Sequence, residues 1–390
     1  MKKLNVAIIG TGFMGRAHSN AWSQLGKFFS IPFEICLKCV AGRDENKTRE
    51  FAKRWGYEEY TTDWHTLLGR YDVDIICILT PAAEHKEMAI AAMRAGKHVV
   101  CEKPCALTWQ ECEEMAQEAR KAGVVTYLNH NYRRVPAVAL AKKMIEEGRL
   151  GTIYHWKGAY LQEWAIDANI PFKWQFDKEI AGGGTIYDLS SHAVDLARFL
   201  VGEPKFVMAM TKTFITERPN RKSNIATHLP QSNTEDDKKM IPVTVDDASF
   251  MILEFENGAL GNIDSTRFAT GRKNCNTFEV YGSKGALCFN FERMNELEFY
   301  DNSVPSCGNG YKKILVTGAG YPYSGAWWPA GHSIGYEHPF VHAFYDFVKA
   351  IENHSTVTPN FEDGVKIIKV LQAAQKSDKE KRCVSLEEKI

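Results

Sequence analysis

The residues with the clearest capacity for chemistry lie in one segment, Gly182–Asp195, with the sequence GGGTIYDLSSHAVD. Apolar residues recur at helical spacing over Ile186–Leu200, and this periodicity predicts a helix. Asp188, His192 and Asp195 fall one turn apart on another side of that helix. A carboxylate one turn from an imidazole can hold its tautomer and tune its proton affinity. The same spacing also fits a solvated polar face, so other segments must decide between the two interpretations.

The N-terminal stretch predicts a dinucleotide-binding element. An apolar, β-branched run at Leu4–Ile9 is followed directly by Gly10–Gly15 (GTGFMG) and then by a helical pattern. In this context the first glycine makes a tight turn, and the second lets the backbone approach a pyrophosphate. The third allows the helix to pack closely on the strand, with the phosphates at the helix N-terminus. We therefore expect a dinucleotide here.

The end of the second predicted strand bears on the choice between NAD and NADP. An NAD-selective site usually has an acidic residue at this position, where it binds the ribose 2′-hydroxyl. This chain has Gly42 there, followed by Arg43 and Asp44. Arg43 could pair with a 2′-phosphate or stack on adenine, whereas Asp44 could still reach the ribose. NAD, NADP, dual use and an ordinary surface turn all remain open from these residues.

Strands and helices alternate up to residue 128, and two loops follow carboxyl ends of predicted strands, where doubly wound folds bind ligands. Thr80 and Pro81 follow the apolar strand Asp74–Leu79, and Glu102-Lys103-Pro104 follows His98–Cys101. At this place Lys103 would point towards the nicotinamide. The alternative is a charged turn in solvent.

The second half of the chain predicts an antiparallel sheet. Long alternating segments begin at Gly151, and Asn257-Gly258 fits a tight hairpin turn. One face of such a sheet packs on helices, and the other is most simply covered by another subunit. The polar segment Glu217–Pro242 is expected to be a surface excursion or a partly ordered flap.

Composition limits the class of partners. The chain has 390 residues, which favours two domains, and its 48 Lys+Arg balance 48 Asp+Glu. We therefore expect neither nucleic acid nor a membrane as a partner. Ten cysteines without paired metal-binding motifs, and an N-terminus unlike a signal peptide, predict reduced thiols and a cytoplasmic location. His338, His342 and Asp346 have a spacing that could suit a metal, but hydride chemistry needs none and we expect no metal.

These motifs together resemble a known family. In chain order they are GTGFMG, Thr80-Pro81 with His85, Glu102-Lys103-Pro104, Asn129–Pro136 (NHNYRRVP) and the GGG-D-H-D segment. The set is similar to the glucose–fructose oxidoreductase and inositol dehydrogenase family of NAD(P)-dependent sugar and polyol dehydrogenases. Within that family, Tyr160–Trp164 and His332–His338 most resemble the levoglucosan dehydrogenase type, which uses NAD.

The resemblance implies an α/β Rossmann domain at residues 1–128 and an α+β domain with an open, mainly antiparallel sheet at 129–360. A C-terminal helix at about 361–377 is expected to pack back on the first domain. It also implies a homodimer or homotetramer and a catalytic group of Lys103, Asp188 and His192. The expected cofactor-binding residues are Gly10, Gly12, Phe13, Met14, Gly15, Arg43, Asp44, Thr80, Pro81, His85, Glu102, Lys103 and Asn131. The expected substrate-binding residues are Lys103, Arg133, Tyr160, Gln162, Trp164, Asp188, His192 and His338.

The corresponding hypothesis is oxidation of a secondary hydroxyl on a cyclic sugar, anhydrosugar or polyol. His192 takes the hydroxyl proton while hydride leaves for the nicotinamide, Asp188 holds the imidazole, and Lys103 stabilises the developing alkoxide. One alternative keeps the NAD bound for a redox-assisted glycoside hydrolysis or epimerisation. Another is a cofactor-sensing protein without turnover.

Overall fold

A computed structural model describes residues 2–220 and 239–388. The chain forms two compact units, one of Met1–Asn131 with Tyr336–Ile368 and one of Tyr132–Gly335 with Lys369–Ile390. Most of the segment predicted as a surface excursion, residues 221–238, lies outside the described residues.

The strands are numbered in chain order. They are β1 (Lys2–Ile9), β2 (Phe33–Ala41), β3 (Glu59–Thr61), β4 (Ile75–Ile78), β5 (His98–Cys101), β6 (Thr126–Leu128), β7 (Ile153–Leu161), β8 (Pro204–Lys212), β9 (Glu217–Pro219), β10 (Met240–Pro242), β11 (Ala248–Phe255), β12 (Leu260–Thr266), β13 (Cys275–Gly282), β14 (Gly285–Asn290), β15 (Glu296–Asp301), β16 (Lys312–Leu315) and β17 (Val384–Ser385).

The helices are numbered in the same way. They are α1 (Phe13–Phe28), α2 (Glu45–Trp55), α3 (His85–Arg94), α4 (Trp109–Ala122), α5 (Pro136–Glu146), α6 (Lys178–Ala181), α7 (Thr185–Asp188), α8 (Ser190–Leu200), α9 (His338–Glu352) and α10 (Phe361–Glu380).

The first unit is a doubly wound parallel sheet, as the alternation of strands and helices predicts. Its six strands are hydrogen-bonded in the order β3-β2-β1-β4-β5-β6, and every pairing is parallel. All four residues of β4 are buried, because both faces of the sheet are covered. The strand order reverses between β1 and β4, and in such folds ligands bind outside the carboxyl ends of the strands at this point.

Local signals place the helices of this unit. A capping box starts α4, with the Thr108 side chain on the Glu111 amide and the Glu111 side chain on the Thr108 amide. Gly123, in the left-handed conformation, ends the same helix. In α9, Phe344 stacks on Trp22 of α1 with ring centroids 4.3 Å apart, which fixes α9 on the first helix of the chain.

The second unit contains a nine-stranded open sheet in the order β16-β15-β14-β13-β7-β12-β11-β8-β17. All its pairings are antiparallel except the one between β7 and β12, so the expectation of a mainly antiparallel open sheet is confirmed. The inner face packs on α7 and α8. The outer face exposes Met208, Met210, Phe250 and Ile252, which form two cross-strand pairs between β8 and β11.

Within residues 2–220 and 239–388, we find no helix with the length and hydropathy needed to cross a membrane.

Candidate functional site

The first and third glycines of the GTGFMG loop are required by close packing. Gly10 has a φ of +120°, and a Cβ there would lie 2.9 Å from the carbonyl oxygen of Leu79. A Cβ on Gly15 would lie 2.5 Å from the carbonyl oxygen of Gly10. Side chains at either position would push β1, α1 and the β4 loop apart, in agreement with the turn and packing roles of the motif.

The second glycine differs from the other two because a Cβ on Gly12 would meet no atom within 4 Å. Gly12 precedes α1, whose N-terminus has no side-chain cap and no acidic residue in its first turn. Phe13 is 55% exposed and stacks on Tyr336 at 5.9 Å. Open space beside an uncapped helix N-terminus accommodates a phosphate, which accepts hydrogen bonds from the free amides.

The end of β2 has no room for the acidic side chain of a typical NAD site. A Cβ on Gly42 would lie 2.5 Å from Thr48 Oγ1. Asp44 caps α2 by accepting the Lys47 amide at 3.0 Å, and this hydrogen bond lowers the pKa of Asp44. Arg43 is exposed between them. Arg43 therefore offers a positive charge at the end of β2, where the adenosine end of a dinucleotide lies in such folds.

Glu102, at the carboxyl end of β5, is buried in a polar network. Its Oε1 accepts from Asn129 Nδ2 at 2.6 Å and lies 2.8 Å from His18 Nε2, and its Oε2 accepts the Lys103 amide at 3.2 Å. Burial acts to raise the pKa of Glu102, but His18, Asn129 and the charge of Lys103 together hold it below its usual value. The network fixes the backbone that carries Lys103.

His85 connects the two loops that the sequence placed at the ligand edge. Its Nε2 lies 2.8 Å from the carbonyl oxygen of Thr80, and its Nδ1 lies 3.0 Å from that of Pro104. Full burial lowers the pKa of His85. Pro81 lies at the start of a short 3-10 helix that leads into α3. His85 therefore holds the two loops together by bonding to a backbone carbonyl in each of them.

These observations test whether the residues fit a dinucleotide. Besides the open space at Gly12, three buried polar atoms have no partner in the described chain: Asn129 Oδ1 and Asn131 Nδ2, which follow β6, and Nδ1 of His18 in α1. Native proteins leave few buried polar groups unsatisfied. The loop, the helix N-terminus and these atoms therefore fit a bound nicotinamide dinucleotide.

In the second unit, Asp246 holds the segment that enters α7. Its carboxylate accepts the amides of Gly184 and Ile186 at 2.8 and 2.9 Å and the hydroxyl of Thr185 at 2.5 Å. A Cβ on Gly184 would lie 1.8 Å from the carbonyl oxygen of Asp246. The glycines before α7 therefore allow close backbone approach, and Asp246 fixes the helical turn that bears Asp188.

The carboxylate of Asp188 pairs with a buried arginine. Arg267 Nη2 donates to Asp188 Oδ2 at 3.1 Å, with Arg267 1% exposed and the Asp188 side chain 33% exposed. The guanidinium also lies over the rings of Trp164 and Phe176, at 5.1 and 5.9 Å from their centroids. Asp188 is thus oriented by a cation that two aromatic rings hold in place.

His192 lies in α8 between two tyrosines. Its ring stacks on Tyr132 with centroids 4.5 Å apart and meets the edge of Tyr160 at 5.8 Å. Leu189 separates α7 from α8, so Asp188 and His192 occupy adjacent turns of an interrupted helix. Tyr160 and Gln162 both donate to Asn274, and Trp164 donates to Gln162, so these residues form one hydrogen-bonded group beside His192.

Arg133 and His338 are also predicted to bind the substrate, and each lies beside an acidic residue. Arg133 is 4% exposed and forms a bidentate ion pair with Asp195, with bonds of 2.8 and 2.6 Å. The pair joins the start of the second unit to α8. His338 is the first residue of α9 in the first unit, with its Nδ1 3.5 Å from Glu337 Oε1. In the described chain no cluster of His, Cys, Asp and Glu suits a metal ion.

The structure adds residues that the sequence did not single out: His18, Arg267, Asn274 and Asp246. His18, Arg267 and Asn274 bond to predicted site residues far away in the sequence, whereas Asp246 bonds to Gly184, Thr185 and Ile186 just before Asp188. A cavity of about 750 Å³ also lies in the first unit, lined by residues such as Lys2, His98 and Thr126. These residues mark the amino ends of the parallel strands, so this cavity is remote from the glycine loop.

Comparison with known proteins gives consistent matches. A model described as an oxidoreductase family with an NAD-binding Rossmann fold matches residues 4–130, and a GFO/IDH/MocA C-terminal domain matches residues 138–288. Levoglucosan dehydrogenase of Pseudarthrobacter phenanthrenivorans is 40% identical over 369 residues, covering 94% of each chain. The crystal structure of an oxidoreductase domain protein from Kribbella flavida matches with a TM-score of 0.94, at 42% identity over 100% of both chains. A levoglucosan dehydrogenase in complex with NADH and levoglucosan matches with a TM-score of 0.93, at 38% identity over 99% of this chain and 100% of that one.

Proposed function

Because the chain belongs to the GFO/IDH/MocA family of oxidoreductases, we propose that it oxidises a secondary hydroxyl of a cyclic sugar, anhydrosugar or polyol with NAD. The observation that carries the proposal is the arrangement around His192, with two tyrosine rings against it and an arginine-held Asp188 one helical turn before it. Such a group can remove a proton from a bound hydroxyl.

Each catalytic side chain has one task. His192 accepts the proton of the substrate hydroxyl, and Asp188 favours the imidazolium that results. Lys103 donates a hydrogen bond to the reacting oxygen and stabilises its negative charge as the carbonyl forms. The bound nicotinamide supplies the hydride acceptor, so one hydride and one proton leave the alcohol and a ketone remains.

Other residues hold the cofactor and the substrate. Gly10, Gly12, Phe13, Met14 and Gly15 hold the pyrophosphate at the start of α1, while Arg43 and Asp44 flank the adenosine end. Thr80, Pro81 and Asn131 are placed along the nicotinamide side, with His85 and Glu102 fixing the loops. Tyr160, Gln162 and Trp164 bind the sugar. Arg133 supports α8 through its ion pair with Asp195, and His338 binds the sugar from the start of α9.

A similar protein suggests which substrate to assay first. A levoglucosan dehydrogenase has been crystallised with NADH and levoglucosan, so levoglucosan is the first substrate to examine. The exposed Arg43 at the end of β2 makes NADPH the necessary comparison.

We further propose a homodimer or homotetramer built on the outer face of the nine-stranded sheet. Exposed Met208, Met210, Phe250 and Ile252 form a contiguous apolar surface there, which monomeric proteins seldom leave uncovered. Ten free thiols and a soluble nicotinamide cofactor support a cytoplasmic location.

The test has two steps. The protein is first titrated with NADH and with NADPH while the fluorescence of the reduced nicotinamide is followed. It is then assayed with the oxidised form of whichever binds and a panel of anhydrosugars, pyranoses and inositols. Accumulation of reduced cofactor together with a ketone supports the proposal. Binding without turnover of any substrate would indicate a sensor, and a product at the substrate's oxidation level would indicate a redox-neutral reaction.

A further inference from the structure

A chain of hydrogen bonds runs along the inner face of the second unit beside His192. Trp164 Nε1 donates to Gln162 Oε1 at 2.9 Å, and Gln162 Nε2 donates to Asn274 Oδ1 at 3.0 Å. The Tyr160 hydroxyl donates to the same Asn274 oxygen at 2.7 Å, and the Tyr132 hydroxyl lies 3.0 Å from that of Tyr160. We call these five residues the polar chain.

The direction of every bond in the polar chain follows from one residue. An indole N–H can only donate, so Gln162 must turn its oxygen to Trp164 and its nitrogen to Asn274. A Gln162 amide turned the other way would place two donors against each other at 2.9 Å. Asn274 must then accept with its oxygen.

The same reasoning extends to the tyrosines. Since Asn274 presents its oxygen, Tyr160 gives its single proton to Asn274. The oxygen of Tyr160 can then only accept, so Tyr132 donates to it. Both phenol protons are therefore used within the polar chain, that of Tyr160 towards Asn274 and that of Tyr132 towards Tyr160.

These hydrogen-bond directions determine which atom of Asn274 is left to bind a ligand. The Oδ1 of Asn274 accepts two bonds, while its Nδ2, with two hydrogens, bonds to no residue in the described part of the chain. Asn274 is half-buried, and the Tyr160 side chain that bonds to it also contacts the ring of His192 edge-on. The amide nitrogen cannot turn away without breaking the bonds of Tyr160 and Gln162. It is therefore a donor in a fixed position.

Neighbouring positions also have unused capacity for hydrogen bonding. Asn276 of β13 and Ser265 of β12 pair with Tyr160 of β7 on either side, and all three side chains are buried. Asn276 Nδ2 and Oδ1 and Ser265 Oγ have no partner among the described residues. Buried polar groups of this kind are normally satisfied, which points to a polar ligand along this face.

Building on the proposed function, we propose that Asn274 determines substrate specificity by donating from Nδ2 to an ether oxygen of the sugar, either the ring oxygen or an anhydro bridge. A hydroxyl can rotate to meet either a donor or an acceptor, whereas an ether oxygen can only accept. A donor locked in place therefore discriminates a sugar with a ring oxygen from a carbocyclic polyol.

Two isosteric variants test the proposal from different residues. In Asn274→Asp the carboxylate still accepts from Tyr160 and Gln162 but offers no donor. In Gln162→Glu, residue 162 can only accept, so Asn274 turns over, donates to both neighbours and presents its oxygen to the substrate. Both changes therefore replace the same donor with an acceptor. Asn302→Asp, at an exposed position, is the matched control for the added charge.

The assay compares kcat and KM for an oxygen-ring substrate and a carbocyclic polyol, with NADH affinity measured in parallel. We expect both variants to lose about 10–100-fold in kcat/KM on the oxygen-ring substrate, mainly through KM, because a site built to donate rejects its partner once the donor is lost. The loss on the carbocyclic polyol should be at least about tenfold smaller, whereas the Asn302→Asp control and NADH binding should change little.

An unchanged preference for the oxygen-ring substrate in either variant would overturn the proposal, as would equal losses on both substrates. In both cases the proposed function would stand, because the wild type still turns over. A wild-type protein that oxidises neither substrate would overturn the proposed function and this proposal with it.

Discussion

Replacing Arg267 with methionine should slow the oxidation by weakening the hold on Asp188. Arg267 is 1% exposed, and its guanidinium donates to Asp188 at 3.1 Å while lying over Trp164 and Phe176. Methionine keeps an unbranched side chain against the rings but removes the charge and the donor. Asp188 then loses a charged hydrogen-bond donor, and His192 loses part of its support.

The size of the effect follows from the exposure of the pair. A hydrogen bond to a charged group contributes about 1.5–3 kcal/mol. Because the Asp188 side chain is 33% exposed, water can replace the lost donor in part, so the lower half of this range applies. A loss of about 1.5–2 kcal/mol from the transition state corresponds to about a 10–30-fold lower kcat/KM.

Arg218→Met is the matched control. Arg218 is also fully buried over Phe176, at 4.3 Å from the ring centroid, but it donates to the backbone carbonyls of Asp167 and Ala165 rather than to Asp188. Both variants should lower the melting temperature, and only Arg267→Met should lower kcat/KM when each is assayed well below its midpoint. Equal kinetic losses in the two variants, or none in Arg267→Met, would refute the positioning role.

Three further results are expected. Gly12→Ala should fold normally yet bind NADH at least about tenfold more weakly in a fluorescence titration, because its methyl group would occupy the open space beside α1. Gly15→Ala should instead lower the unfolding free energy measured by calorimetry by about 1–3 kcal/mol, because its methyl group would clash with Gly10. The ionised Glu102 has a lowered pKa in the folded protein, so its contribution to stability is complete above its unfolded pKa and is lost as the pH falls below that value towards the folded pKa. Glu102→Gln should therefore flatten the decline in unfolding free energy below about pH 4.5 in denaturant titrations, and an unaltered slope there would contradict the network. Ile252→Lys on the outer sheet face should reduce the native mass measured by light scattering, and an unchanged mass would exclude this face as the subunit contact.

The dinucleotide loop could be predicted because its evidence is local. Strand, GTGFMG and helix are contiguous, and the Cβ distances at Gly10 and Gly15 give the physical reason for two of the three glycines. The hairpin and strand segments of the second unit were predictable for the same reason, since alternation has a period of two along each strand.

The supporting residues could not be predicted, because their roles arise from contacts between distant positions. Arg267 lies 79 residues from Asp188, and Asn274 lies 114 residues from Tyr160. Nothing in the residues around either one indicates the partner. Asp195 illustrates the converse, because its spacing places it with Asp188 while the structure buries it in an ion pair with Arg133. Periodicity identifies a face of a helix but not what covers it.

The central claim is that hydride passes from a carbon bearing a hydroxyl to the nicotinamide while His192 removes the proton. The most direct measurement uses the best substrate from the sugar panel, deuterated at its ring carbons, with the oxidised cofactor. We expect deuterium in the reduced nicotinamide by mass spectrometry, a ketone as product, and a rate about 10²–10⁴-fold lower in His192→Ala with NADH binding retained. A cofactor that acquires no deuterium, or a His192→Ala variant with undiminished turnover, would contradict the account.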